Sequence, residues 1–398
     1  MRSKAKKRLT VILILLSFLV ISMVSITAIF ALPKQNITTK VGVDYLTPTS
    51  LTSNLQLNAD GTGYVVTSYN SSVLSENNGV VTIPKYYKGL PVTEIKDNAF
   101  KNCTALKQIT ISENVTTIGS YAFYGCSGLT SVSLGENVTT IGGNAFYNCK
   151  NLTEITIPDS VTTIGSQAFS FCSGLTSVSL GENITAIGSI SFLNCSKLTS
   201  ITIPKSVTSI GENIFGGCSN LTKLKVEEGN TKYHSAENCL IETESKMLIR
   251  ANYSSVIPSD GSVEIIGAHA FDGCSKLTSI TIPDGIISIK GTAFQSCTSL
   301  TNIIIPDSVT SIGTNAFNVC SSLKDVTIGS GVISIGSSIF SSCPLLKSVT
   351  LKNTEGWFIS TSSTATSGTN LSAEDLANTQ TAATYLKTTY SSYYWKRA

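Results

Sequence analysis

Ten Phe-x-x-Cys pairs recur through the chain, and this repetition restricts the possible fold more than any other feature. Successive pairs lie 23 residues apart, except for one interval of 56 residues between Phe215 and Phe271. A unit of this length cannot bury its own apolar side chains, so the copies must stack on their neighbours. The spacing therefore predicts a solenoid. The pairs are Phe100/Cys103, Phe123/Cys126, Phe146/Cys149, Phe169/Cys172, Phe192/Cys195, Phe215/Cys218, Phe271/Cys274, Phe294/Cys297, Phe317/Cys320 and Phe340/Cys343.

Each copy carries the signals for two short strands and one turn. The shared skeleton is L-x-x-I-x-I-P-x-x-V-x-x-I-G-x-x-A-F-x-x-C, with small departures such as Leu134-Gly135 in place of Ile-Pro. L-x-x-I-x-I and V-x-x-I predict two strands that end at a turn and at a glycine bend, and A-F-x-x-C is interpreted as a helical turn. We predict a β-rich, right-handed leucine-rich-repeat solenoid with short parallel strands and one helical or 3₁₀ turn per 23-residue repeat.

The skeleton resembles the BspA-type leucine-rich repeat of microbial surface proteins over residues 92–345, apart from the long interval. The flanks are similar to the same group: Leu55 to Phe100 before the repeats, and the tail from Gly356-Trp357 to Lys396-Arg397 after them. The resemblance implies a curved solenoid on the cell surface that binds host or bacterial proteins. It implies no catalytic residues.

The repeat and its flanks divide the chain into seven predicted segments. These are 1–32, a signal peptide or N-terminal membrane anchor; 33–53, a flexible spacer; 54–91, an N-terminal capping hairpin; 92–220, a first repeat array; 221–262, a hairpin insertion; 263–345, a second array; and 346–398, a C-terminal cap. In the insertion, the apolar runs Cys239–Ile241 and Met247–Ile249 predict a protruding β-hairpin, which is either a tolerated loop or a binding element.

The N-terminus predicts export. Basic residues up to Arg8 precede an uncharged stretch from Leu9 to Leu32, long enough to cross a bilayer as a helix. A cleaved signal peptide and a retained anchor both remain open, and either one exports the rest of the chain. Without the five basic residues of this segment, 23 basic residues face 25 acidic ones. That balance offers nothing to attract nucleic acid.

Eleven cysteines in an exported chain raise the question of disulfides, but the count is odd and ten lie in register. We predict buried free thiols, with Cys239, the one outside the register, as the most reactive. No C-x-x-C pair is present to suggest zinc, and Asn58 to Gly63 is interpreted as a hairpin turn and not as a calcium loop. No cofactor is predicted. The two histidines, His234 and His269, weigh against an enzyme.

Two groups of side chains are candidate binding residues. Outward strand positions form a hydroxyl-rich row that is either a docking surface or a solvated face of the sheet. Aromatic residues on the turn edge are either a contact surface or packed against the adjacent turn. The strand candidates are Thr130, Ser131, Thr153, Glu154, Thr176, Ser177, Thr199 and Ser200, and the edge candidates are Tyr124, Tyr147 and Phe171.

Together these features predict a non-enzymatic, monomeric surface protein that is extracellular or held at the cell surface. Its solenoid would bind a protein ligand, in adhesin-like attachment to host extracellular matrix or to another cell. It would contact a membrane only through the N-terminal segment. The alternative, of a different class, is a passive spacer or envelope scaffold without a specific ligand.

Overall fold

Short strands stacked coil upon coil make up most of the fold. The computed structural model describes residues 54–69 and 78–398, so the predicted export segment (1–32) and spacer (33–53) lie outside the described residues. In the part that is described, no helix has both the length and the apolar character needed to cross a membrane.

The strands are numbered in chain order. They are β1 (Leu55–Leu57), β2 (Tyr64–Val66), β3 (Val80–Ile83), β4 (Tyr86–Tyr87), β5 (Leu90–Ile95), β6 (Gln108–Ile111), β7 (Thr117–Ile118), β8 (Ser131–Ser133), β9 (Thr140–Ile141), β10 (Glu154–Thr156), β11 (Thr163–Ile164), β12 (Ser177–Ser179), β13 (Ala186–Ile187), β14 (Ser200–Ile203), β15 (Ser209–Ile210), β16 (Lys223–Val226), β17 (Tyr233–Ala236), β18 (Cys239–Glu242), β19 (Met247–Arg250), β20 (Ile265–Ile266), β21 (Ser288–Ile289), β22 (Asn302–Ile305), β23 (Ser311–Ile312), β24 (Asp325–Ile328), β25 (Ser334–Ile335), β26 (Ser348–Leu351), β27 (Trp357–Ser360), β28 (Thr369–Asn370) and β29 (Tyr394–Arg397).

Within the arrays, equivalent strands of successive coils pair in parallel. In the first strand of the repeat, Glu154 on β10 lies opposite Ser177 on β12, a shift of one repeat. In the second strand, Ile118, Ile141 and Ile164 follow one another across β7, β9 and β11 with the same shift. The predicted β-solenoid of stacked parallel strands is therefore confirmed.

The core is a column of identical side chains. All ten repeat phenylalanines are fully buried, and each ring stacks on the ring of the next coil at centroid distances of 4.8–5.7 Å within each array. Phe146, for example, lies 5.0 Å from Phe123 and 5.3 Å from Phe169. Each coil is thus buried by the apolar side chains of the coils on either side of it, as expected for a stacked repeat.

The A-F-x-x-C segment does not form the predicted helical or 3₁₀ turn. Successive backbone N–H groups alternate between two kinds of acceptor: those of Tyr121 and Phe123 bond to carbonyls of the next coil, whereas those of Ala122 and Tyr124 bond three residues back in their own coil. A helix would direct every N–H along its own axis. Because the neighbouring coil takes half of these donors, the segment folds as consecutive β-turns, with a positive φ of 57° at Tyr121.

Stacking also brings the backbones of adjacent coils together at the repeat glycine. A Cβ on Gly165 would lie 2.5 Å from the backbone nitrogen of Gly143 and 2.6 Å from the carbonyl carbon of Gly142. We expect Gly165→Ala to cost roughly 1–3 kcal/mol, because the coils must separate to admit the methyl group. Gly285→Ala is the control: nothing lies within 4 Å of its Cβ position. That change should be neutral or stabilise by about 0.4–1 kcal/mol. Equal effects of both changes on urea unfolding would contradict close backbone packing at Gly165.

The long interval folds into the stack and does not protrude from it. Strands β17, β18 and β19 form an antiparallel sheet, and β19 then pairs in parallel with β20 of the second array. Leu240 packs in the apolar cluster of the first array, whereas Ile241 and Leu248 pack in that of the second. The β18–β19 hairpin is therefore the junction between the arrays, and the predicted protrusion is wrong.

This junction interrupts the aromatic column. Phe192 and Phe215 stack, as do Phe271 and Phe294, but no such contact joins Phe215 to Phe271 in the described structure. The buried Arg250 lies at this junction instead and donates to the carbonyls of His269 and Asp272. Three buried atoms here lack a hydrogen-bond partner among the described residues: Asn213 Oδ1, Arg250 Nε and Asn252 Nδ2.

Both described ends of the stack are covered. The hairpin of β1 and β2 precedes β5, which pairs with the first repeat strand β7. At the other end are helices α1 (Ala373–Ala377) and α2 (Thr379–Thr384), then a π-helical turn (Tyr385–Thr389) and β29. Ser372 accepts from the Asp375 N–H at the start of α1. Strand β29 pairs antiparallel with β25 of the last repeat and with β27, and its Trp395 is buried against Trp357.

Candidate binding surfaces

The first candidate surface, here called the strand-face groove, lies over β8, β10 and β12. It is a concavity of about 620 Å³ to which Ser131, Glu154 and Ser177 all contribute. Most of its lining is polar, but Val132 and Val178 are partly exposed there, whereas the equivalent Ile155 is buried. The two partly exposed valines belong to the copies with Leu-Gly in place of Ile-Pro, a departure visible in the sequence.

The threonines beside this groove already donate hydrogen bonds within the fold. The Oγ1 atoms of Thr130 and Thr176 each donate to a carbonyl of the preceding coil at 2.9 Å, and that of Thr199 does so at 3.5 Å. Thr153 supplies one of these carbonyls and has an exposed side chain, and Ser200 is exposed on the neighbouring strand β14. A threonine hydroxyl has one proton. Only acceptor lone pairs therefore remain on the bonded threonines for a ligand.

The second candidate surface, here called the aromatic ridge, consists of Tyr121, Tyr124, Tyr147 and Phe171. Tyr124 and Tyr147 stack with centroids 4.8 Å apart, and Phe171 lies 5.3 Å beyond Tyr147. Tyr121 lies 5.7 Å from Tyr124, and the Lys101 ammonium lies over both of these tyrosine rings. Partial burial and the neighbouring Tyr124 raise the pKa of the Tyr147 hydroxyl. The structure thus brings the three predicted edge residues together and adds Tyr121 and Lys101 to them.

Two members of the ridge have an unusual backbone conformation for aromatic residues. Tyr121 and Phe171 have φ values of 57° and 61° and remain 39% and 36% exposed. The equivalent positions in neighbouring copies hold Asn98 and Asn144, or Asn148 and Asn194, also with positive φ. Asparagine tolerates this region better than bulky residues do. Backbone geometry alone therefore favours asparagine, and the aromatic side chains need another explanation.

The cysteines form an internal row of hydrogen-bond donors. All eleven are buried and free, as predicted. Eight of the ten in-register thiols donate to a phenylalanine carbonyl of the preceding coil; Cys126 Sγ lies 3.0 Å from Phe100 O and Cys172 Sγ 3.1 Å from Phe146 O. The first thiol of each array differs, since Cys103 donates to Tyr69 O and Cys274 to Ala251 O. The prediction that Cys239 is the reactive thiol is wrong, because burial within the junction raises its pKa to about 12.

Neither histidine has the geometry of a nucleophilic triad. Asp272 Oδ2 and Thr292 Oγ1 both approach the same ring atom, His269 Nδ1, at 3.2 Å and 3.1 Å. A catalytic histidine needs the carboxylate and the nucleophile on opposite ring nitrogens. His234 Nδ1 lies 3.0 Å from Thr243 Oγ1. Over residues 54–69 and 78–398, no three His, Cys, Asp or Glu side chains converge as a metal site would require.

Comparison with known proteins places the repeats in a described family. Residues 93–239 and 249–365 match the model of the BspA type leucine rich repeat region, in six copies. A leucine rich cell surface protein from Faecalibacterium prausnitzii A2-165 is 30% identical, with a TM-score of 0.54 over 75% of this chain and 93% of that one. The pneumococcal vaccine antigen PcpA shares the fold at 24% identity, with a TM-score of 0.58 over 79% of this chain and 89% of that one. Comparison with curated protein sequences gives no match.

Proposed function

The chain belongs to the BspA-type leucine-rich repeat family, and from this premise we propose that it is an exported surface protein whose solenoid binds other proteins. The family is a repeat scaffold of bacterial surface proteins and not an enzyme family. Adhesin-like attachment to host matrix or to another cell is the form of binding we propose. The long apolar segment that follows Arg8 supports export.

The aromatic ridge is the observation that carries this proposal. Exposed tyrosine and phenylalanine side chains are typical of the centres of protein interfaces. The copies on either side have asparagine at the positions of Tyr121 and Phe171, so the turn itself does not require an aromatic side chain there. The Lys101 ammonium adds one positive charge over the tyrosine rings. A partner surface with apolar and acidic groups would complement this ridge.

The strand-face groove is the second part of the proposed surface. Glu154 and Ser177 line it beside the partly exposed Val132 and Val178, so it offers both polar and apolar groups to a partner. The hydrogen-bonded threonines beside it support the opposite view, the passive spacer, because their hydroxyl protons hold neighbouring coils together. Binding at this groove is therefore tested separately from binding at the ridge.

We also propose the finer features of the architecture. A right-handed winding is supported by the strong preference of parallel strand connections for that hand. The seven-segment division and the monomeric state belong to the same proposal.

Replacement of the ridge residues by the residues of neighbouring repeats should remove binding and leave the fold intact. The full chain, purified in mild detergent, is passed over surfaces coated with collagen, laminin or mucin. We expect Tyr121→Asn combined with Phe171→Asn to weaken the observed binding by about 30-fold or more, as loss of interface hot spots does. The unfolding free energy should stay within about 1 kcal/mol of the parent, because each asparagine suits the positive φ.

Glu154→Gln combined with Ser177→Ala is the matched control in the strand-face groove. If the ridge is the contact surface, this variant retains binding. Loss of binding in the groove variant alone would move the site to the strand face. If the parent chain binds none of the coated proteins, the passive spacer becomes the better description.

A further inference from the structure

A small pocket near the C-terminal end of the second array combines serine hydroxyls with two ammonium groups. It has a volume of about 250 Å³ and is here called the serine–lysine pocket, because Ser288, Ser311, Ser334, Lys290 and Lys396 line it. Its other polar lining residues are Thr314, Ser363 and Tyr394. None of the described residues that line it is acidic. It lies on the second-strand side of the repeat, whereas the strand-face groove lies on the first-strand side.

The serines occupy the same position in three successive coils. Ser288 pairs with Ser311 across β21 and β23, and Ser311 with Ser334 across β23 and β25. The Ser288 and Ser311 hydroxyls are 2.9 Å apart, and Ser288 is only 7% exposed. The Ser334 hydroxyl accepts from Lys396, so its own proton is available to a ligand.

Lys290 occupies a bend where the repeat prefers glycine. The bend is the fourth residue before the repeat phenylalanine. At this position eight of the ten copies have glycine and two have lysine, Lys96 and Lys290. At Gly165, which occupies the same repeat position as Lys290, the adjacent coil leaves no room for a Cβ. Packing between coils therefore does not explain why this position holds a lysine in the coil of Lys290. Lys96 pairs with Glu94 at 2.7 Å. The Lys290 ammonium has no hydrogen-bond or ion-pair partner among the described residues.

The C-terminal tail supplies the second charge. Antiparallel pairing of β29 with β25 places Lys396 opposite Ser334, and its Nζ lies 2.8 Å from Ser334 Oγ. Residues 62 positions apart in the sequence thus contribute to one pocket. Tyr394, two residues earlier, also lines it.

We propose that the serine–lysine pocket binds a phosphate or sulfate group. A tetrahedral oxyanion accepts several hydrogen bonds, and bonds from ammonium donors to an anion are about twice as strong as neutral ones. The pocket supplies hydroxyl and ammonium donors with no carboxylate to compete for them. At about 250 Å³ the pocket is far larger than the space that one water needs, so the oxyanion could carry a small organic group such as a sugar.

The test is isothermal titration of the full chain at low ionic strength with inorganic phosphate, inorganic sulfate and glucose 6-phosphate. We expect saturable binding of one equivalent, weakened about tenfold or more by Lys290→Gly or by Lys396→Gln. Lys290→Gly restores the common residue of the repeat and should fold normally. The titrant that binds most tightly shows whether the pocket prefers free phosphate, free sulfate or a phosphate carried on a sugar.

Lys96→Gly is the matched control, since it removes the same charge from the same repeat position in another coil. It should leave oxyanion binding unchanged. The proposal fails if no titrant gives saturable binding, or if Lys96→Gly weakens binding as much as Lys290→Gly does, because that result would indicate general attraction by surface charge. Neither outcome affects the ridge, whose variants are assayed on protein surfaces.

Discussion

Truncation of one interior ring, Phe146→Ala, is expected to lower the unfolding free energy by about 3–5 kcal/mol. Phe146 is fully buried and stacks on Phe123 and Phe169, with interplanar angles of 9° and 2°. The change leaves a cavity and removes both ring contacts, each worth about 0.5–1.5 kcal/mol beyond burial. Urea unfolding measures the loss. Hydrogen exchange should show the largest loss of protection in the two adjacent coils, because coupling in a stack is between neighbours.

Two controls separate stacking from burial in this experiment. Phe146→Leu keeps most of the volume and should cost less than about 1.5 kcal/mol. Phe171→Asn removes an exposed ring of the same type and should have a small effect. A loss below about 1 kcal/mol for Phe146→Ala would mean that the aromatic column is not a main source of stability.

Alkaline unfolding at about pH 10 is the second large expected effect. Burial raises the pKa of the Cys103 thiol to about 11 and that of Cys239 to about 12, from an ordinary value of 9.0. Burial also raises the pKa values of Cys126, Cys149, Cys195, Cys274 and Cys297. Folding keeps these thiols neutral, whereas the unfolded chain ionises them above pH 9.0. Their stabilising effect is therefore complete below that pH and is lost as the pH rises toward the folded values.

The size of this effect follows from the number of thiols. One pH unit above its unfolded pKa, a thiol that stays neutral in the folded chain costs about 1.4 kcal/mol, so Cys103 and Cys239 alone cost on the order of 3 kcal/mol. The other thiols with a raised pKa add to this cost, whereas the pKa values of Cys218 and Cys343 are lowered and these two do not. The cost is a large part of the stability of a typical domain, about 5–15 kcal/mol. The measurement is urea unfolding at a series of pH values under reducing conditions. Above pH 9.0, its slope against pH should correspond to about two or more protons released on unfolding.

Cys149→Ala tests the assignment of this slope to the thiols. The variant should release about one proton fewer on unfolding and reduce the slope by about 1.4 kcal/mol per pH unit. A parent slope of less than about one proton would show that the thiols ionise within the folded chain. That result would contradict their burial.

Repetition made the core predictable. Each phenylalanine and cysteine has the same neighbours one repeat away, so the period alone indicates that Phe146 lies between Phe123 and Phe169. The turn was less predictable, because A-F-x-x-C has the spacing of a helical turn. The acceptor of each N–H decides the conformation, and half of those acceptors lie in the next coil.

The binding surfaces were only partly predictable for similar reasons. Tyr124 and Tyr147 share one repeat position and are predicted by spacing together with Phe171, whereas Tyr121 occupies a different position of the turn and is not predicted. The positive φ of Tyr121 and Phe171 is not revealed by the pattern of apolar residues. The contact between Lys396 and Ser334 depends on the antiparallel pairing of the C-terminal strand β29 with β25. Lys396 lies outside the 23-residue repeat, so the period does not predict this contact. The prediction of a reactive Cys239 fails because the insertion that holds it is part of the stack, where the thiol is buried.

The interrupted aromatic column has a consequence for how such a chain can change in length. With no phenylalanine contact across the β18–β19 junction, each side of it has its own apolar cluster. Since coupling is between neighbours, duplication or deletion of a whole 23-residue unit on one side leaves the contacts of the other side unaltered. Gene duplication can therefore lengthen the second array while the aromatic ridge, which lies in the first array, keeps its residues and contacts.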